Sequence, residues 1–360
     1  MKRLITHEDL YSLSSYDYAL PPERIAQSPA VPRDSSRLLV WNVMHDTVHR
    51  DNIFREIVNY LRPDDLLILN DTRVIPARLK GIRSTGGQCE VFLLKNIEGL
   101  TWEALVRPAR KIHEGMTINI NGLNAHVLEE RPEGVRIIRF DCANNNEFMK
   151  FLDESGSVPL PPYIRNTNPN MRTAYQTVFA KNDGSVAAPT ASLHFTPELL
   201  SRIQSMGVKI AYVTLHVGLG TFRPVMTHDI REHDIHTEHC ELSEETAGMI
   251  RECKLRGGRV IASGTTAART LETFGNSFGI RETGLFIYPG YKFKVVDALI
   301  TNFHLPQSSL IMLVASFAAN KANAHGHEER ILSRLIEIYE ECANAGSWRF
   351  FSFGDAMFIY

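Results

Sequence analysis

Three apolar runs in the second half of the chain end in the same kind of residue. "VKIAYVTLHVGLGTFR" brings His216, Gly218, Gly220, Thr221 and Arg223, "RVIASGTTAARTLE" brings Gly264, Thr265 and Thr266, and "DALITNFHLPQSSL" brings Asn302, His304 and Ser308. Small and hydroxyl-bearing residues where a strand meets a helix suit an anion or a ribose, because helix N-termini offer unpaired N–H groups. Gly218 and Gly220 invite a nucleotide-phosphate reading, but a dinucleotide fingerprint needs a third glycine where this chain has Arg223. No Lys-Ser/Thr pair follows either, so these glycines read as turn residues that let a ligand approach the backbone.

Other stretches carry titratable groups. "VAAPTASLHFT" leads through Thr190 to His194 just ahead of a helix start, where the imidazole reads as a capping or core residue or as a proton carrier. "LNDTRVIPARLKG" holds Asp71, Arg73 and Arg78, a carboxylate beside arginines that can hold an amine or a base edge, or form a solvated rim. "EHDIHTEHCEL" tempts a metal reading, but in a strand His236 shares a face with Glu238 while His233 and His239 point the other way. A histidine among carboxylates better suits cation binding or proton transfer. "VRPARKIHEG" packs Arg107, Arg110 and Lys111 into one loop, a candidate contact for nucleic-acid phosphates.

The elements that must position these groups fall into two textures. From Asp65 to Phe140, the short runs "DLLILN", "ARLKGI", "CEVFLL", "WEALVRP", "MTINI", "NAHVLE" and "VRIIRF" alternate with turn signals, the rhythm of a small antiparallel barrel. After Pro159 strands alternate with helices such as "FTPELLSRIQSMG", with Thr196 as N-cap and Pro197 at the first position. Such alternation predicts an α/β layer with parallel pairing. The expected fold class is α/β, with a large α/β domain over 1–62 and 152–360 and an inserted barrel over 63–151.

The bulk composition narrows the class. The 360 residues carry 39 basic and 41 acidic side chains, a net charge of -2, so binding to nucleic acid calls for a local basic patch rather than a global field. Five scattered cysteines without a C-x-x-C pair, no long apolar run and no secretory pattern at the N-terminus predict a cytoplasmic protein away from membranes.

Taken in order, "YDYALPPERIAQSP", "LNDTRVIPARLKG", "GSVPLPPYI", "YQTVFAKNDGSVAAPTASLHFT", "LHVGLGTFRPV", "HTEHCELSEETA", "SGTTAARTLE", "TNFHLPQSSLIMLVASFA" and "RFFSFGDAMFI" closely resemble the S-adenosylmethionine:tRNA ribosyltransferase-isomerase family of queuosine biosynthesis. The resemblance spans nearly the whole chain. Two positions depart from the family's pattern, Ser192 for a usual glycine and His239 for a usual aromatic residue.

The resemblance implies transfer and isomerisation of the ribosyl part of S-adenosylmethionine onto 7-aminomethyl-7-deazaguanine at the wobble position of tRNAs with a GUN anticodon. Epoxyqueuosine forms and adenine and methionine leave, with no metal or further cofactor and with a monomer expected. On that reading His194, His216 and His236 are candidate bases, and Asp71 accepts a proton from the amine or holds the base edge, with Arg73 fixing its charge. Glu238 faces the sulfonium. Arg73, Arg78, Thr190, Gly218, Gly220, Thr221, Arg223, Gly264, Thr265, Thr266, Asn302, His304 and Ser308 are expected to bind substrate. Arg107, Arg110 and Lys111 are expected to bind tRNA. The alternatives are an S-adenosylmethionine-dependent RNA methyltransferase, expected to carry a glycine-rich turn after its first strand, and a non-catalytic RNA-binding protein.

Overall fold

The computed structural model describes residues 5–165, 170–218 and 224–360. Strands β1 (Arg37–Asn42) and β2 (Thr47–Ile53) form a hairpin, and β3 (Leu66–Asn70) follows before the short β4 (Thr72–Val74). Six strands then close a barrel, β5 (Arg78–Arg83), β6 (Gln88–Glu98), β7 (Thr101–Arg107), β8 (Thr117–Ile120), β9 (Leu123–Glu130) and β10 (Val135–Phe140). Helix α1 (Asn145–Ser155), capped by Asn144, seals it with Phe148 and Leu152, which are buried among the barrel's apolar side chains. The chain returns through α2 (Met171–Ala174), β11 (Asn182–Ser185) and α3 (Pro197–Ser205). It then builds β12 (Lys209–Leu215), β13 (Glu238–Leu242), α4 (Glu244–Leu255), β14 (Val260–Ser263) and α5 (Thr265–Phe274). Strands β15 (Gly279–Thr283) and β16 (Ala298–Asn302), helices α6 (Ser309–Lys321) and α7 (Glu328–Asn344), and β17 (Ala356–Ile359) complete the order.

Nine of these strands make one sheet in the order β15-β13-β12-β3-β14-β16-β17-β1-β2. Its centre, β12-β3-β14-β16, is parallel throughout. Such strands are covered on both faces and need apolar residues at every position. In β3 all five residues are buried, with Leu66 and Ile68 on the face under the helices α4 to α7 and Leu67 and Leu69 on the face under α3. Burying each of these side chains contributes about 2 kcal/mol.

The structure corrects one boundary. "DLLILN", expected to open the barrel, is an inner strand of the large sheet, and "LNDTR" with it belongs to the large domain. The barrel itself begins with β5. Its strands alternate, as in β7 with every second residue buried, whereas β3 is apolar without a break. The unbroken run is the signal of a doubly covered strand, and its closeness in sequence to true barrel strands obscures it.

The parallel centre sets up the site. From β3 the chain goes first to β12 on one side and later to β14 on the other. Where strand order reverses in this way, a crevice opens beyond the carboxyl ends of the strands. Asn70 ends β3 and Gly264 follows β14 at that reversal.

Candidate active site

At the reversal point Asn70 is fully buried and joins three elements. Its Nδ2 donates to Leu215 O at 3.1 Å and to Thr266 Oγ1 at 3.2 Å, while its Oδ1 accepts from the amides of Thr72 and Leu215. Gly264 turns β14 into α5 with φ +92°, a conformation that disfavours side chains. Around this turn Thr190, Val217, Gly264, Thr265, Thr266, Asn302 and His304 converge, with Tyr175, Leu310 and Phe351 as apolar walls. They line a crevice that is partly open to solvent. That lining has the composition of a small-molecule site, mostly apolar with a few placed polar groups.

The polar walls are held firmly. His304 Nε2 lies 2.7 Å from Thr301 Oγ1, and burial lowers the imidazole pKa to about 3, so the ring is neutral at pH 7. Asn302 Nδ2 donates to Phe351 O at 2.9 Å, while its Oδ1 is buried without a well-formed partner. Ser192 is fully buried with its Oγ 2.8 Å from Ser263 Oγ, beside the Gly264 turn.

A second, smaller cavity adjoins the first through Leu310, which lines both. Its walls include His236, Glu238, Arg269, Phe286 and Ser309. Glu238 is buried; it accepts from Arg269 Nη1 and, at 3.0 Å, from the Gly218 amide.

A sequence profile described as "Queuosine biosynthesis protein" matches residues 13–359. The chain belongs to that family. A protein of Thermosynechococcus vestitus named S-adenosylmethionine:tRNA ribosyltransferase-isomerase is 47% identical, over 98% of this chain and 97% of its own length. One of the same name from Thermosipho africanus is 48% identical, over 97% of this chain and 99% of its own. A solved Thermotoga maritima structure, an S-adenosylmethionine tRNA ribosyltransferase, superposes with a TM-score of 0.53 at 37% identity and covers 96% of this chain and 100% of its own.

Within this family member the expected site residues part into groups. Thr190, Gly264, Thr265, Thr266, Asn302 and His304 line the larger cavity, and His236 and Glu238 line the smaller. Gly218 lies beside them, its amide donating to Glu238, and a Cβ built there meets no atom of the described residues within 4 Å. Gly220, Thr221 and Arg223 lie outside the described residues.

His216 sits at the end of β12 with Nδ1 2.8 Å from Thr72 Oγ1. Its ring lies so close to Gly184 that a Cβ there would come within 2.9 Å of it. Burial, with help from the neighbouring His239, lowers its pKa to about 4. The two imidazoles stack with centroids 5.6 Å apart, so His239 supports His216 and joins no metal cluster among the described residues.

Several expectations need correction. Arg73 does not hold Asp71. It points outward from β4 and pairs with Asp183 at 2.7 Å, while Asp71 accepts from Thr214 Oγ1 at 2.7 Å and from Asn182 Nδ2 at 3.1 Å. Asp71 lies in the link between β3 and β4, where Thr214 and Asn182 take up its carboxylate, while Arg73 within β4 turns to Asp183. Arg78 pairs with Glu90 on the barrel at 3.4 Å and does not line either cavity. Ser308 caps α6, its Oγ accepting from the Ile311 amide.

His194 lies behind the larger cavity rather than on its wall, with Nδ1 2.7 Å from Ser36 Oγ and its ring stacked on Phe54 at 4.8 Å. Burial lowers its pKa to about 3, which makes it a packed neutral ring. Glu238 is neutralised by Arg269 and does not offer a bare charge to a sulfonium.

Sequence reasoning missed Asn70, Asn182 and Arg269. An asparagine closing an unbroken apolar run and a lone arginine four residues after Thr265 on an apolar helix face were the available signals. On the barrel, Arg107, Arg110 and Lys111 are all exposed, and none is drawn into an ion pair among the described residues. Arg107 borders an open groove with Lys80, Gln88, Asn119 and Asn121.

Proposed function

We propose that this chain transfers and isomerises the ribosyl moiety of S-adenosylmethionine onto 7-aminomethyl-7-deazaguanine at the wobble position of a tRNA with a GUN anticodon. The product is epoxyqueuosine, with adenine and methionine released. The observation that carries this reading is a crevice lined by Thr190, Thr265, Thr266, Asn302 and His304 at the strand-order reversal, in a chain matched to the queuosine biosynthesis family over residues 13–359. S-adenosylmethionine is consumed as a sugar donor, and its sulfonium supplies the activated carbon, so the reaction draws on no further cofactor. The protein acts as a cytoplasmic monomer. Among the described residues no helix is long and apolar enough to cross a membrane.

The chemistry needs a neutral base, because the sulfonium acidifies the adjoining 5′ methylene and that proton must leave. Of the three candidate histidines, His216 fits best. Thr72 fixes its ring, and His216 directly precedes Val217 in the cavity wall. Asp71, held by Thr214 and Asn182 at the end of β3, takes the proton from the attacking amine. Threonine hydroxyls at the start of α5 hold the sugar. The exposed Arg107, Arg110 and Lys111 bind the phosphates of the anticodon stem while the target base leaves the stack to enter the cleft.

The test is incubation with S-adenosylmethionine and tRNA carrying the aminomethyl base. One equivalent of free adenine per modified nucleoside, with a ribosyl-derived mass gain, supports the proposal. S-adenosylhomocysteine with a methyl-sized gain means a methyltransferase, and tight tRNA binding without turnover means a binding protein.

A further inference from the structure

The smaller cavity has a feature that the reaction chemistry leaves unused. Arg269 is 7% exposed, donates Nε to Leu285 O at 3.0 Å and Nη1 to Glu238, and keeps Nη2 buried with no acceptor. An unsatisfied buried guanidinium nitrogen is costly, and an acceptor supplied by a ligand relieves that cost. The opposite wall is the start of α6, where Ser309 and Leu310 are the first two residues of a 13-residue helix. The first N–H groups of such a helix have no partner inside it and favour an anion. An arginine donor and a helix N-terminus thus face one small void.

We propose that this cavity binds the amino-acid end of S-adenosylmethionine, its carboxylate held between Arg269 Nη2 and the N-terminus of α6. The inference rests on the donor reading above. Thr265 and Arg269 stand four residues apart on α5 and so share a face, one turn apart. Thr265 lines the larger cavity, Arg269 the smaller, and Leu310 both. One extended ligand therefore runs along α5 with its nucleoside over the first turn and its carboxylate over the second. Glu238, paired with Arg269, lies on the same wall. A zwitterion added to a buried ion pair brings no net charge into the pocket, which limits the desolvation cost.

The test compares S-adenosylmethionine with its decarboxylated analogue, which keeps the sulfonium and the ammonium, by equilibrium dialysis. Native protein is expected to prefer the carboxylate-bearing ligand by about tenfold or more, the usual worth of a charged hydrogen bond. R269K keeps a positive charge beside Glu238 but loses the fork. It is expected to shrink the preference to about threefold or less while binding the analogue as native protein does. Equal binding of the two ligands to native protein overturns the proposal without any variant, and so does an undiminished preference in R269K. Failure of native protein to bind either ligand overturns the donor reading itself.

Discussion

The crevice at the end of the sheet and the loop after β7 are built on opposite plans. In the crevice the polar side chains are buried and hold one another: Asn70 ties β3 to β12 and α5, Asp71 is gripped by Thr214 and Asn182, and the imidazoles of His216 and His304 are kept neutral. On the barrel Arg107, Arg110 and Lys111 are exposed and, among the described residues, without ion-pair partners. The first plan fixes geometry, which proton transfer at a sugar requires. The second leaves charge available to a polyanion. Disturbing the crevice must therefore cost stability and turnover, and disturbing the loop must cost encounter with tRNA and little else.

The largest difference is expected on acidification. His194 and His304 are neutral in the fold, with pKa values lowered to about 3. Below pH 6.5 the unfolded chain binds protons at these positions that the native state refuses, so stability falls as pH falls and levels off only near pH 3. Between pH 6.5 and 4.5 the loss is expected to reach about 2 kcal/mol per histidine. Denaturant titrations at several pH values measure it. A pH-independent midpoint over that range removes the buried-imidazole account.

Next comes Asn70→Ala, which leaves the Leu215 and Thr72 amides and the Leu215 carbonyl without their buried partner. The expected cost is about 3 kcal/mol, together with a loss of turnover of about a hundredfold as the ends of β3 and β12 and the start of α5 lose register. Thermal melts and single-turnover assays read the two effects. A variant with native turnover would show that this tie is not part of the site.

Charge reversal of Arg107, Arg110 and Lys111 together is expected to weaken tRNA binding by about tenfold or more at low salt, with the salt slope reduced by about 0.9 for each phosphate no longer neutralised. Turnover at saturating tRNA stays within about twofold of native. The smallest effect belongs to Arg73→Ala, since Arg73 holds the half-exposed Asp183 and not Asp71. A change of less than about 1 kcal/mol in stability is expected, with little change in turnover. A large activity loss in that variant would restore the discarded Asp71–Arg73 pairing.

The sequence made the second half of the chain legible because local signals coincide there. Thr196 and Pro197 open α3, and Gly264 and Thr265 mark the turn into α5. The partners of the site residues were not legible, because they come from distant parts of the chain. Asp71 meets Asn182 and Thr214, His194 meets Ser36, and Glu238 meets Arg269. Placing Asp71 with Arg73 follows proximity along the chain, whereas the partners that hold Asp71 come from β11 and β12. Placing "DLLILN" in the barrel has the same origin, a neighbour in sequence taken for a neighbour in space.

The most direct test of the division of labour is a crossed binding measurement. Affinities for S-adenosylmethionine and for tRNA are determined separately on Thr265→Val, which alters the crevice wall, and on the triple charge reversal in the barrel loop. The account predicts that Thr265→Val loses donor affinity by about tenfold and binds tRNA as native protein does, while the barrel variant shows the reverse. Loss of both ligands in either folded variant, or donor loss in the barrel variant, would contradict it.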